Sequence, residues 1–243
     1  MKILVTNDDG IYSPGLLCLA RVASKLGEVR IVAPDVEQSS MGHAVTSGRP
    51  LKYRPLARES FEAYRVDGTP ADCVALGSFH WEHMDVVLSG INLGLNLGNA
   101  IWHSGTVSAA RQASLLGIQG IAVSAPGDPE EPDYDALASH VETALRNVIG
   151  DPALPLVNIN LPLRPNGLRW TRQSVRHYDG RVVPGKDPRG RPHYWFTVRP
   201  IEETEEDTDR WAVENGWVSI TPLRLDITDE SLLANATATH PLD

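Results

Sequence analysis

Short apolar runs alternate with stretches of helical periodicity along the first two thirds of this chain. The apolar runs predict strands at residues 2–6, 29–33, 85–89, 118–124 and 156–161. Apolar residues at helical spacing predict helices at residues 13–27, 73–79, 107–116 and 134–148. Strands that are apolar almost throughout, and that alternate with helices, are typical of a mostly parallel sheet with helices on both faces. We therefore predict an α/β fold.

The pattern changes after residue 165, where Arg, Pro, Trp and Tyr become frequent. This composition favours β-hairpins and long loops. Asp187-Pro188-Arg189-Gly190 is a plausible turn between Val182-Val183 and Tyr194-Trp195-Phe196. We predict a core over residues 1–165 and a C-terminal extension over residues 166–243, which carries a β-hairpin and does not form an independent domain.

The net charge of the chain and the lengths of its apolar runs indicate which classes of binding partner to exclude. The 243 residues include 31 acidic and 22 basic side chains, giving a formal net charge of −9, which opposes binding to the phosphates of DNA or RNA. No run approaches the ~20 apolar residues that a membrane-spanning helix needs, and the first residues fit a core strand better than a signal peptide. We expect no nucleic-acid polymer as partner, no membrane association and a cytoplasmic location.

Two adjacent carboxylates follow the first predicted strand, in the segment Asn7-Asp8-Asp9-Gly10. Open parallel sheets bind ligands just beyond the carboxyl ends of their strands. Neighbouring like charges repel, so either one carboxyl group takes up a proton or a cation joins the two. A divalent metal ion is the simplest resolution, although Asn, Asp and Gly also suit an ordinary turn.

Further oxygen donors follow other strands of the predicted sheet. The candidate ligands are Asp8, Asp9, a hydroxyl group from Ser39 or Ser40, and an amide from the loop at residues 92–96. Such hard oxygen donors suit Mg²⁺, Mn²⁺ or Ca²⁺ better than Zn²⁺. The pattern therefore predicts one site for a hard divalent cation.

Ser104-Gly105-Thr106 opens a predicted helix and is a candidate for binding phosphate. Backbone N–H groups at a helix start have no partner within the helix, and the helix dipole there favours an anion. Ordinary N-capping by Ser or Thr explains the same residues. A phosphate group beside a metal site would indicate phosphoryl chemistry.

Several motifs together resemble the SurE survival-protein family. The motifs are Val5-Thr6-Asn7-Asp8-Asp9-Gly10, Ala33-Pro34-Asp35 followed by Ser39, Gly68-Thr69-Pro70-Ala71-Asp72-Cys73, Ser89-Gly90-Ile91-Asn92-Leu93-Gly94 and Ser104-Gly105-Thr106. The resemblance implies a Rossmann-like core. It also implies a metal-dependent phosphatase that hydrolyses nucleoside monophosphates, a 5′-nucleotidase with possible 3′-nucleotidase and polyphosphatase side activity.

The resemblance also assigns roles to individual residues. It implies Asp8, Asp9, Ser39 and Asn92 as ligands of one Mg²⁺ or Mn²⁺ ion per subunit. Asn96 and the turn Ser104-Gly105-Thr106 would face the substrate phosphate. The hairpin at residues 181–196 would reach into a neighbouring subunit, as part of a homodimer or homotetramer.

The expected mechanism is direct attack of water on phosphorus, with Asp8 or Asp9 orienting that water or accepting its proton. His103, beside the phosphate turn, could protonate the leaving alkoxide, but a packing role explains a lone histidine as well. Two alternatives stay open. A haloacid-dehalogenase-type phosphatase would form an aspartyl phosphate, but it needs Asp-x-Asp spacing that this chain lacks at Asp8 and Asp9. A non-catalytic module that binds nucleotide or metal is the second.

Overall fold

The computed structural model describes residues 1–127, 132–174, 178–200 and 204–240. Its strands are β1 (Lys2–Thr6), β2 (Glu28–Pro34), β3 (Tyr53–Arg58), β4 (Phe61–Val66), β5 (Val86–Leu93), β6 (Gln119–Ala125), β7 (Leu156–Asn160), β8 (Gly167–Trp170), β9 (Tyr178–Lys186), β10 (Pro192–Pro200) and β11 (Trp217–Pro222). Its α-helices are α1 (Pro14–Ala23), α2 (Pro70–His80), α3 (Gly105–Leu115), α4 (Tyr134–Arg146), α5 (Asp209–Glu214) and α6 (Glu230–Thr239). A short 3₁₀ helix spans Gly98–Trp102.

Nine of these strands form one sheet in the order β3-β4-β2-β1-β5-β6-β7-β11-β8. The strands from β4 to β7 along this order are parallel, whereas β3 pairs with β4 and β11 pairs with β7 in the antiparallel sense. The mostly parallel α/β sheet predicted from the sequence is confirmed. Because β11 and β8 extend it, residues near the C-terminus are part of the main sheet.

Helices cover both faces of the sheet, and β1 shows how the chain builds both layers. Ile3 and Val5 pack into the core cluster that includes α1 and α4, while Leu4 between them packs into the cluster that includes α2 and α3. This alternation follows from the two-residue period of a strand. Cys18 and Cys73 are buried, free thiols in these two clusters.

The C-terminal region contains the expected hairpin and two helices that the sequence pattern did not predict, α5 and α6. Among the strands in the described residues, β9 and β10 pair only with each other, from Lys186 opposite Pro192 to Tyr178 opposite Pro200. The Gly190 N–H donates to the Asp187 carbonyl in the connecting turn. Within the described parts of the chain, no helix has the length and apolar character needed to cross a bilayer.

Candidate active site

The site residues predicted from the sequence lie together where β1, β2 and β5 end. A cavity of about 620 Å³ opens there. Five of the predicted residues line it, and these are Asp8, Ser39, Asn92, Asn96 and Ser104. The other three, Asp9, Gly105 and Thr106, contact residues that line it. The remaining lining residues are Ser40, Leu93, Gly94, Leu95, Ala100, His103 and Phe196.

Asp8 is a buried carboxylate directly after β1, with 4% of its surface exposed. Its Oδ1 accepts a hydrogen bond of 2.6 Å from the Thr106 hydroxyl group. Burial raises the pKa of Asp8 from 3.8 to about 6 against the lowering effect of that hydrogen bond, and the charge of Asp9 adds to the rise. Ionised Asp8 is therefore costly in this position unless a cation accompanies it.

Gly105 lies against Asp8 at the start of α3. A β-carbon at position 105 would be 2.7 Å from the Asp8 β-carbon and 2.8 Å from its Oδ2. Only glycine allows the start of α3 to approach the carboxylate this closely. The glycine of Ser104-Gly105-Thr106 is therefore explained by contact between the helix and the acidic pair.

Asp9 and Asn92 are brought together at the carboxyl end of β5. The Leu93 N–H donates to Asp9 Oδ2 at 3.1 Å. The Asn92 Nδ2 group donates to the Gly94 carbonyl at 2.6 Å, which leaves the amide oxygen as the atom of Asn92 suited to a cation. The structure thus brings the second carboxylate and the predicted amide ligand to one segment.

The loop after β2 brings Ser39 and Ser40 to the lining of the cavity. The Gln38 N–H donates to the Asp8 carbonyl at 2.7 Å, and the Gly42 N–H donates to the His103 carbonyl at 3.0 Å. Both serines line the cavity, so each brings a hydroxyl group to the site. The Ser39 hydroxyl donates to Glu37 Oε1 at 2.7 Å, which adds a carboxylate that the sequence analysis did not select.

The start of α2 also makes hydrogen bonds to this loop. The Thr69 hydroxyl group donates to the Ala44 carbonyl at 2.7 Å, and the Thr46 N–H donates to Asp72 Oδ1 at 2.9 Å. Thr69 and Asp72 also form a capping box, in which each side chain accepts from the other's backbone N–H. This motif, residues 68–72, therefore caps α2 and also holds the loop at residues 37–46, which carries Ser39 and Ser40 and is called here the serine loop.

Asn96 is buried in a network of polar side chains. Its Nδ2 donates to the Ser124 hydroxyl at 2.8 Å and to the Thr106 hydroxyl at 3.4 Å. Its backbone N–H donates to Asn160 Oδ1, and its carbonyl accepts from the Asn158 and Asn160 amides. Ser124, Asn158 and Asn160 were not identified as site residues from the sequence. The alternation of polar and apolar residues in 156–161 was the signal available for the two asparagines.

Ser104 and Thr106 are both tied into the start of α3. The Ser104 hydroxyl oxygen accepts from the Val107 N–H at 3.0 Å, which is ordinary N-capping. Its hydroxyl proton is still able to donate to an anion in the cavity. The Thr106 hydroxyl proton is donated to Asp8, so Thr106 contributes mainly by orienting that carboxylate.

The donor set fits a hard divalent cation. Across the residues that the structure describes, no group of three His, Cys, Asp or Glu side chains could hold a metal. A cation here would therefore use two carboxylates, Asp8 and Asp9, completed by neutral oxygens of Asn92 and a serine. That combination suits Mg²⁺ or Mn²⁺ and disfavours Zn²⁺. The desolvated Asp8 carboxylate beside Asp9 is the feature that a positive charge would stabilise.

Comparison with known proteins places these features in context. Residues 3–180 match the family model described as Survival protein SurE. The protein named 5′-nucleotidase SurE 1 from Thermus thermophilus is 47% identical over 240 residues, which cover 96% of this chain and 95% of that protein. The 5′-nucleotidase SurE of Deinococcus radiodurans is 41% identical over 249 residues, covering 99% of this chain and 93% of that protein.

A solved structure agrees with the architecture over nearly the whole chain. The crystal structure of SurE protein from Aquifex aeolicus superposes with a TM-score of 0.85 at 39% sequence identity. The match covers 98% of this chain and 99% of the other. The likeness therefore includes the C-terminal region as well as the core.

Proposed function

Because this chain belongs to the survival protein SurE family, we propose that it is a phosphoric monoester hydrolase acting on nucleoside monophosphates, a 5′-nucleotidase. The observation that carries this proposal is the buried Asp8 carboxylate in direct contact with the first residues of α3. A cation at the acidic pair and a phosphate at the helix start would then be neighbours. That juxtaposition is the requirement for metal-assisted phosphoryl transfer.

One Mg²⁺ or Mn²⁺ ion would be held by Asp8, Asp9, Asn92 and a serine hydroxyl, of which Ser39 is the first choice. When bound, such an ion polarises a phosphoryl oxygen and lowers the pKa of a bound water. Metal dependence is supported by the donor set and by the charge of the acidic pair.

The residues of the chain supply the rest of the mechanism. The Ser104 hydroxyl and the Gly105 backbone N–H at the start of α3 would bind the phosphoryl oxygens, and Asn96 would complete that surface. Asp8 or Asp9 would orient the attacking water or accept its proton. Thr106 keeps Asp8 in place for either role. No covalent intermediate is required.

The nucleoside would occupy the outer part of the cavity, between His103 and Phe196. Phe196 comes from β10, and 68% of its surface is exposed, so its ring is accessible to a base. The 3′-nucleotidase and polyphosphatase activities, a homodimer or homotetramer built through the hairpin, and a cytoplasmic location belong to the same proposal. Support for the oligomer is the hairpin itself, whose two strands form a sheet separate from the main one.

Phosphate release from a panel of nucleoside 5′- and 3′-monophosphates and a polyphosphate, in Mg²⁺ or Mn²⁺ with and without chelator, tests the proposal. We expect release from 5′-monophosphates that chelator abolishes. Binding without release would favour the non-catalytic module. An acid-quenched, hydroxylamine-sensitive phosphoenzyme would instead favour the haloacid-dehalogenase-type route through an aspartyl phosphate.

A further inference from the structure

The base of the hairpin arm lies beside the segment that leads to the phosphate turn. Here the hairpin arm means β9, β10 and their turn. The chain approaches the arm through Arg172–Ser174 and continues after it to Thr208, and Arg172 and Thr208 form an isolated parallel bridge. The Asp209 N–H donates to the Arg172 carbonyl at 2.9 Å. The described segments before and after the arm, residues 172–174 and 208–209, are thus joined at the start of α5. They are called here the base of the arm.

Asp209 is a buried carboxylate at this junction, with none of its surface exposed. Its Oδ2 accepts from the Gly98 N–H at 2.8 Å. Its Oδ1 accepts from the Ser174 N–H at 2.9 Å and from the Arg210 N–H at 2.8 Å. Burying a carboxylate is costly unless hydrogen bonds compensate for the lost water, and here backbone donors from three segments do so.

Capping α5 does not account for this carboxylate. Thr208 is the N-cap of α5, and its hydroxyl accepts from the Trp211 N–H. The Asp209 side chain instead reaches Gly98, which is distant in sequence. The Gln173 side chain donates to the Gly98 carbonyl at 2.9 Å, so both backbone groups of Gly98 are held by the base of the arm.

Gly98 begins the 3₁₀ helix that connects Asn96 to the phosphate turn. Its φ of +51° is a conformation that favours glycine. Ala100 and His103 of this segment line the cavity, and Ser104 follows directly. A shift at Gly98 would therefore be transmitted to the groups proposed to bind the phosphoryl oxygens.

We propose that Asp209 is a positioning residue, which fixes the segment at residues 96–104 against the base of the hairpin arm and so sets the geometry of the phosphate turn. A carboxylate is needed because N–H groups approach both of its oxygens, whereas an asparagine offers only one acceptor oxygen. The kinetic part of this inference rests on the proposed function. Its binding and exchange parts do not.

The test compares Asp209→Asn with the intact chain and with Asp151→Asn. Asp151 accepts a backbone hydrogen bond from Ala153 before the amino end of β7, whereas the contact of β7 with Asn96 is at the carboxyl end of that strand. It serves as the matched control. We expect Asp209→Asn to raise KM for a nucleoside monophosphate and Kd for orthophosphate by about tenfold, because small displacements of binding groups have large effects. Kd for Mn²⁺ should change less than twofold. A fold defect alone would lower the active fraction and leave KM unchanged.

Amide hydrogen exchange provides a readout that needs no activity. Peptides covering residues 96–104 should exchange faster in Asp209→Asn, while peptides from β1 and α4 should not. If Asp209→Asn does not fold, Gln173→Leu removes only the contact to the Gly98 carbonyl and should change the same readouts less strongly.

Phosphate Kd, KM and exchange within twofold of the intact chain, in a folded variant, would overturn the inference. If the intact chain hydrolysed no monophosphate, the proposed function would fail, and exchange at residues 96–104 would still decide the role of Asp209.

Discussion

Replacing Asp8 with asparagine should make the metal-free protein more stable at neutral and alkaline pH. The pKa of Asp8 is raised by burial from 3.8 to about 6. Each unit of pKa difference corresponds to ~1.4 kcal/mol, so keeping Asp8 ionised in the folded state costs about 3 kcal/mol. Asparagine has a similar shape, can still accept from Thr106, and carries no charge.

The pH dependence follows from the direction of the shift. Below pH 3.8 the carboxyl group is protonated in both the folded and the unfolded chain, and the stabilisation that comes from its raised pKa is fully present. That contribution is lost as the pH rises towards 6, the pKa in the folded state. The free energy of unfolding of Asp8→Asn should therefore exceed that of the intact chain by about 3 kcal/mol at pH 8, and the excess should shrink towards zero near pH 4.

Urea unfolding in the presence of chelator, at several pH values, measures this difference. Asp135→Asn, which changes an exposed carboxylate, is the control for general loss of charge. Addition of Mn²⁺ should stabilise the intact chain and leave Asp8→Asn unaffected, because binding to the folded state alone raises stability. If Asp8→Asn were no more stable than the intact chain at pH 8 without metal, the burial argument for this site would be wrong.

Three further predictions concern the residues that line the cavity or hold its loops. Gly105→Ala should lower kcat/KM at least about tenfold, because the added β-carbon would meet Asp8. Gly48→Ala, the control, has open space around it and should retain full activity. Equal kinetics in the two variants would contradict the contact between Gly105 and Asp8. Asp72→Asn should weaken Mn²⁺ binding several-fold in calorimetry by releasing the serine loop, and an unchanged Kd would separate that loop from metal binding. Phe196→Ala should raise KM for nucleoside monophosphates more than for glycerol phosphate, and equal changes would exclude stacking on the base.

The local patterns in the sequence were sufficient to predict the core of the fold. Strands β1, β2, β5, β6 and β7 are nearly continuous apolar runs because helices cover both faces of the sheet. The helix expected at residues 73–79 begins earlier, at Pro70, because the Thr69 and Asp72 capping box starts it. Strand β3 was missed because it is an edge strand that contains a proline and several exposed residues.

Site residues could be predicted only where the signal for them lay in the sequence immediately around each residue. Asp8, Asn92 and Ser104 were identified because strand ends and helix starts have recognisable sequences. The partners of Asn96 come from β6 and β7, and Asp209 comes from α5, so their roles depend on contacts between segments distant in the chain. No local pattern indicates such pairings. Helix α5 likewise packs on β11, a contact that its own six residues do not indicate.

The position of β11 between β7 and β8 has a consequence for the order in which the protein is made. All five residues of β7 are buried, yet β7 remains an open edge with unpaired backbone groups until β11 is available. Synthesis proceeds from the N-terminus, so the residues of the candidate site leave the ribosome well before the strand that pairs with β7. A nascent or truncated chain that stops short of β11 therefore exposes the backbone groups along one side of β7, which can pair with a strand of another chain.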